Sequence, residues 1–364
     1  MTQIKALGEL IKWVDCRNGE LQSDKLLGIN IDKKFMPSVA NIIGTDLTKY
    51  KLVFENQFAC NPMHVGRDEK MPIALYKDKN PAIVSPAYFV FEVKDSSVLN
   101  PEYLMLWFRR PEFDRECWFH TDGSVRGGIT WDEIIEMIVP IPTMEEQEKI
   151  VAQYNEIERR IVNKRKINDN LESQAYLIFK NLTANKNKES MLSDIATIIM
   201  GTSPEGETFN TEGVGSVFYQ GRADFGFRYP SIRLYTIDPK RFAKRGDVLM
   251  SVRAPVGDIN IANSDCSIGR GLAAIRPKSK CYSLLYYIMK ELHSELKRFN
   301  DDGTVFGSIN KDDIFALKVP TISVEEQLDF ENQVAPIDRM IYENVLEIER
   351  LLNTQSILLS SLTN

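Results

Sequence analysis

No apolar stretch of this chain approaches the roughly 18 residues that a membrane-spanning helix needs, so no span is expected. Cysteine is sparse: Cys16, Cys60, Cys117, Cys266 and Cys281 are odd in number, widely scattered and without a CxxC pair. That pattern argues against structural zinc and fits a reduced, cytoplasmic setting. Histidine is sparser still, and His64, His120 and His293 are too scattered to suggest a metal site or a catalytic triad. Neither a GxxxxGK(S/T) phosphate loop nor a glycine-rich cofactor loop after a strand is present, which removes P-loop nucleotide hydrolysis. An excess of positive charge is also missing. With 45 Lys and Arg against 51 Asp and Glu the formal charge is −6, unlike a simple basic nucleic-acid binder. The opening MTQIKALGELIKW has no charged stretch leading into a long apolar run and no cleavage-like site, so no signal peptide is expected.

What the chain does have is a repeat. DGSVRGGITWDEI at 122–134 returns as DGTVFGSINKDDI at 302–314, an offset of 180 residues that holds without a gap to 150 and 330. Of those 29 aligned pairs, 12 are identical, which implies one unit used twice and a pseudo-twofold organisation inside one chain. A protein built that way should hold two similar things at a fixed separation. At 364 residues, 43% hydrophobic and 26% charged, it has room for two soluble cores.

Each repeat runs into a helix. Thr143 with Glu146, and Ser323 with Glu326, read as capping boxes, in which the hydroxyl accepts from a first-turn amide and the carboxylate reaches back. Positions alternately 4 and 3 apart then run Ile150, Tyr154, Ile157, Ile161, Lys164, Asn168, Leu171, Ala175, Ile178 and Leu182. Adding 180 gives Phe330, Val334, Ile337, Ile341, Asn344, Ile348, Leu351, Gln355, Leu358 and Leu362. Such narrow seams suit a partner helix, and the two most simply pair with each other, antiparallel; the alternative is that each packs only on its own module. Lys164 and Asn344 occupy equivalent positions, where a buried polar residue would fix register at some cost in stability. A continuous helix over 143–182 would span roughly 60 Å at about 1.5 Å per residue. Pro336 predicts a kink or break near 332–336.

The first module covers 1–142 and the second 191–320, parted by the polar run 185–190. Their openings echo each other in Leu7-Gly8-Glu9-Leu10 and Leu192-Ser193-Asp194-Ile195. Strands are expected at 88–93 and 248–252, and helices at 102–110, started by Asn100-Pro101, and at 282–299. Both modules are therefore mixed α and β. Within the second, 217–256 carries eight Lys and Arg against three Asp, interleaved with seven aromatics. That stretch is either a local phosphate- and base-contacting surface or a solvated loop beside core aromatics. The loops 122–130 and 302–310 offer glycines that let backbone approach a ligand, with Ser124, Arg126, Thr304 and Ser308 as phosphate donors; the competing reading is a tight connector.

Two short motifs carry little. Asn61-Pro62-Met63-His64 departs from the methyltransferase Asn/Asp-Pro-Pro-aromatic pattern at its third and fourth positions. Asp78 with Glu92-Val93-Lys94 matches a loose nuclease spacing, but Glu92 and Lys94 simply alternate outward on a strand. Trp107, Phe108, Trp118 and Phe119 read as core of the first module, the competing reading being a stacking platform.

Two modules, each joined to a heptad-patterned helix through a Val-Pro…Glu-Glu-Gln junction, resemble the specificity subunit of type I restriction-modification enzymes. The resemblance covers essentially the whole chain. It is carried by RAPVGDINIA at 253–262, CSIGRGLAAIRP at 266–277, and the junctions VPIPTMEEQ and VPTISVEEQ. It implies an α+β fold in which two target recognition domains, 1–142 and 191–320, each read half of a split target in double-stranded DNA. Long helices over 143–184 and 321–364 would form an antiparallel coiled coil that sets the gap and docks two methyltransferase subunits, with restriction subunits joining. Catalysis, S-adenosylmethionine, ATP and magnesium would belong to those partners, leaving this chain without catalytic residues, cofactor or metal. The segment NPMHVGRDEKMPIALY at 61–76 shows no clear copy of RAPVGDINIA, so the half-sites should differ and the target should be asymmetric. Arg222, Arg228, Arg233 and Arg253 are the candidate guanine readers in the major groove. The alternative is a non-catalytic adaptor whose modules bind protein or RNA.

Overall fold

The computed structural model describes residues 3–38, 44–121, 127–300 and 307–363. The chain forms two compact units, Met1–Val162 with Glu349–Asn364, and Asn163–Ile348.

In the first unit the strand Gln3–Ala6 lies antiparallel to Ile138–Ile141 and leads into the one-turn helix Leu7–Leu10. A four-stranded antiparallel sheet follows in the order Ile11–Val14, Phe89–Val93, Gln57–Cys60, Ile73–Leu75. Side chains alternate across a strand, so Phe58 and Cys60 enter one core while Ala59 enters another on the opposite face. Asn100 caps the helix Pro101–Phe108 by accepting from the Glu102 amide at 2.8 Å. Trp107 and Phe108 from that helix join Phe58, Phe91 and Phe113 in a fully buried aromatic group. The helix Pro111–Phe119 buries Phe113 and Cys117, four apart, and so turns its last residues outward. Trp118 is 45% exposed and Phe119 82%, which corrects the expectation that they belong to the core.

The second unit has the same strand order. Ser190–Met191 pairs with Lys318–Val319, the turn Leu192–Ile195 follows, and a four-stranded sheet runs Ala196–Met200, Leu272–Pro277, Val248–Ser251, Ile259–Ile261. A five-stranded sheet through 209–268 has one parallel pairing, Ser216–Tyr219 with Cys266–Ile268. The helix Tyr282–Glu291 buries every residue from Ser283 to Met289. It stops short of the expected 299, giving way to the turn His293–Leu296 and a 3-10 turn.

Both capping boxes form. Thr143 Oγ1 accepts from the Glu146 amide at 3.4 Å and Glu146 accepts from the Thr143 amide at 2.9 Å; Ser323 and Glu326 do the same at 3.3 and 3.0 Å. The helices Met144–Thr183 and Val324–Ser360 follow, with 40 and 37 residues. None of the residues in the two spaced series is exposed. In the first unit, Gln355 donates to Glu158 at 2.9 Å, and Leu362 joins Val151 and Tyr154 in one core. In the second, Phe330 meets Phe179, and Lys164 donates to Asn344, which donates to Asn168, each at 2.8 Å. Within each unit, rising numbers on one helix thus meet falling numbers on the other. The break expected at Pro336 does not occur. Pro336 and Asn332 both face solvent, so the carbonyl that loses its amide partner can be hydrated.

Candidate nucleic-acid interface

The strand Val248–Ser251 ends against two neighbours. The Val252 amide donates to Gly271 O at 2.9 Å, the Ala254 amide to Gly307 O at 2.9 Å, and the Ile309 amide to Val252 O at 3.1 Å, so Arg253 stands opposite Ser308. The neighbouring strand Leu272–Pro277 is preceded by Gly269-Arg270-Gly271. It is held by the Gly201 amide on Leu272 O at 2.9 Å and the Thr202 amide on Ile268 O at 3.0 Å. This approach needs glycine, since a Cβ on Gly201 would stand 2.1 Å from Gly269 O. Arg253 and Arg270 therefore leave well-anchored backbone to line one cleft of about 590 Å³, with Met200, Val252, Ser308 and Ile309. Both are exposed, and among the described residues neither guanidinium has an ion-pair or hydrogen-bond partner. Two unneutralised guanidinium forks beside a hydroxyl suit an acceptor-rich ligand, a phosphate or the O6/N7 edge of guanine.

The three other candidate arginines of the basic stretch are engaged. Arg222 is ion-paired with Asp258, and Arg233 donates from Nε to the buried Asp224 at 2.8 Å, although both side chains stay more than half exposed. Arg228 is a correction: its side chain is 1% exposed and paired with Asp338, so it offers no surface to a base. Arg253 and Ser308 come together as neighbours. Ser124, Arg126 and Thr304 lie outside the described residues. Arg270 was missed, although its place between two glycines in CSIGRGL is the kind of signal that marks a side chain on tightly held backbone.

The repeated loops behave as connectors where they are described. Gly307 comes so near the chain that a Cβ would stand 2.4 Å from Phe299 O, and one on Gly128 would stand 2.9 Å from Pro62 O. In the first unit, the Gly66 amide donates to Gly127 O at 2.9 Å and the Ile129 amide to Pro62 O at 3.3 Å. These repeat the bonds that 252–254 makes with 307–309, so the stretch beginning at Asn61 takes the place of the RAPVGDINIA block without its sequence.

The two short motifs have structural employment. Asn61 accepts from the Met63 amide at 3.2 Å as a helix cap. Glu92 meets Lys12 at 2.7 Å and Gln57 at 2.7 Å, Lys94 donates to Gly8 O at 2.7 Å, and Asp78 pairs with Lys25. Burial pushes up the thiols of Cys60 and Cys117, and that of Cys266 to about 12, so none is a ready thiolate at neutral pH. Among the described residues no His, Cys, Asp and Glu cluster could hold a metal, and no helix is long and apolar enough to cross a membrane.

The type I restriction modification DNA specificity domain matches twice, at residues 17–173 and 184–331. A protein of Methanocaldococcus jannaschii described as the MjaX type I restriction enzyme specificity subunit is 28% identical over 335 residues, covering 85% of this chain and 78% of its own. The crystal structure of the S subunit of the type I restriction-modification system from M. genitalium shares the fold, with a TM-score of 0.62 at 16% identity over 100% of this chain and 96% of that one. With two copies of the domain filling most of its length, the chain belongs to the family of type I restriction-modification DNA specificity subunits.

Proposed function

We propose that this chain directs a type I restriction-modification complex to a split, asymmetric DNA target, one half-site read by residues 1–142 and the other by 191–320. The observation that carries the reading is the doubled specificity domain, each copy joined to a long helix. The helices would pair as an antiparallel coiled coil on the seam Ile150, Ile157, Ile161, Leu171, Ile178 and Phe330, Ile337, Ile341, Ile348, Leu351, Leu358, relating the modules by a pseudo-twofold. The within-unit contacts of falling against rising residue numbers support that pairing, as does the shared strand order. In the second module, Arg253, Arg270 and Ser308 would face the major groove, with Arg222 and Arg233 beside them after exchanging a carboxylate for DNA. Ser124, Arg126 and Thr304 remain proposed phosphate contacts of the repeated loops.

Partners would supply what the chain does not. Two methyltransferase subunits would bring S-adenosylmethionine, and restriction subunits ATP and magnesium, in the cytoplasm. Off the seam, Ile167, Leu177, Leu328 and Ile357 are each more than 40% exposed on the long helices, which suits docking of another protein. The test is a genome-wide map of methylated adenines with and without this gene, partner genes retained. Loss of methylation at one split motif is expected. An unchanged map with the partners expressed would overturn the assignment and favour an adaptor. Insertion of whole heptads within 150–178 should lengthen the gap and leave both half-sites unaltered.

A further inference from the structure

The arginine that the cleft does not use marks a joint. Residues 221–233 fold back on themselves, with the Ser231 amide on Asp224 O at 2.9 Å and Phe225 bridged to Pro230. At the turn, Arg228 adopts φ +67°, the left-handed region that side-chain-bearing residues seldom occupy. Its carbonyl accepts from the Ile261 amide at 2.7 Å, and its side chain points inward. There it meets three helices at once. Nη1 forms an ion pair with Asp338 of Val324–Ser360 at 2.8 Å, without hydrogen-bond alignment, and Nε lies 3.9 Å from Glu172 of Met144–Thr183. Nη2 donates to Tyr287 Oη at 3.2 Å, and the guanidinium lies 4.2 Å from the ring centre of Tyr286, both on Tyr282–Glu291. Burial pushes both phenols up, so they stay protonated and donate in turn, Tyr287 to Asp338 at 3.2 Å and Tyr286 to Glu172 at 3.0 Å. Tyr229 adds an edge-on contact with Tyr342 at 5.0 Å.

Such a cluster is a poor device for stability alone. Its charges must be stripped of water, and apolar residues of similar volume would hold a core as well. The left-handed turn adds strain of its own. A planar fork contacting two acids and two phenols does one thing better than an apolar plug: it admits a single pose.

We infer that Arg228 is a positioning residue that locks the second recognition module in one orientation on the paired helices, and that the half-site spacing accepted by the complex depends on it. The inference rests on the specificity function proposed above. The test uses the full chain assembled with its methyltransferase partner, on duplexes carrying both half-sites at the native gap or with one base pair added or removed. The wild type retains the native gap best. Arg228→Met accepts all three, narrowing that preference by about tenfold, a step the size of one mismatched base pair. Base preference within each half-site is unchanged. Arg228→Lys, charged but without the fork, falls between. Should Arg228→Met not fold, the charge-balanced pair Arg228→Met with Asp338→Leu carries the same expectation. A folded variant with wild-type gap preference overturns the inference and leaves the function standing, and so does a loss of base preference. A wild type that favours no split duplex overturns both.

Discussion

Asn344→Leu and Asn168→Leu together should stabilise the second unit by more than the sum of the two single replacements. Asn344 accepts from Lys164 and donates to Asn168, while Asn168 Nδ2, buried on a residue 1% exposed, has no partner. Replacing Asn344 alone leaves the Asn168 amide unpaired at both ends, and an orphaned buried polar group costs about 1–3 kcal/mol. Replacing Asn168 alone strips Asn344 of its acceptor at a similar cost, while removing the orphaned Asn168 Nδ2. The double variant removes every orphan in the layer and buries two leucines, each contributing roughly 1.5–3 kcal/mol. Lys164 keeps Glu347 at 2.8 Å. Each single therefore sets its leucine against a new orphan while the double makes none, and the coupling should be about 3 kcal/mol, the upper end for groups in contact. For a unit of this size a change of 1 kcal/mol moves Tm by about 2–4 °C, so scanning calorimetry of the four chains resolves the cycle. A double variant no more stable than the weaker single would refute the reasoning. If the layer also fixes helix register, the stabilised double variant should tolerate altered half-site gaps.

Two further outcomes follow from the geometry. Arg253→Ala and Arg270→Ala should each weaken specific binding by about 1–3 kcal/mol and relax preference at one position of a single half-site, read by affinities across single-base variants. A uniform loss, with the salt slope lowered by about one, would mark a phosphate contact instead, and no loss would remove the cleft from the interface. Glu326 is pulled down to about 2, first by the Lys186 ammonium that donates to it and then by the Ser323 amide and hydroxyl. Its folded pKa lies below an unfolded value of about 4.3, so its contribution is present above that pH and is lost as pH falls towards 2. Glu326→Gln should thus lower Tm at pH 7, with the difference fading below pH 4. A difference that persists at pH 2 would contradict the assignment.

What could be read in the sequence is what depends on neighbours along the chain. The capping boxes, the helix start at Asn100-Pro101 and the long seams all rest on spacings of a few residues, and the structure has helices and caps at those places. Trp118 and Phe119 are core-like by residue type alone, whereas the four-residue spacing of Phe113 and Cys117 already fixes the buried face. Pro336 does not break its helix, because a missing amide matters less on a face where water can take the carbonyl. Arg228 was beyond reach. As an arginine among aromatics in a basic stretch it looks like a base reader, and only Glu172 and Asp338, both distant in sequence, reveal it as a buried joint. The Arg253–Ser308 pairing is equally non-local, and Arg270 joins it only because Gly201 admits Gly269.

The uneven survival of the repeat has a physical reading of its own. Its 12 identities fall in the loop, the Val-Pro strand and the Glu-Glu-Gln helix start, the parts that join a module to its helix. Both junction strands pair with the strand that opens their own module, Ile138–Ile141 with Gln3–Ala6 and Lys318–Val319 with Ser190–Met191. Both loops make the same two backbone bonds to the end of a sheet strand, yet the segments they meet share little sequence, Pro62 to Gly66 in one unit and Val252 to Ala254 in the other. Backbone bonds hold that frame whatever side chains it carries, because amide and carbonyl are common to every residue but proline's missing N–H. A frame fixed by backbone leaves side chains such as Arg253 free to differ from their counterparts. Two unlike half-sites can then be read in one fixed geometry.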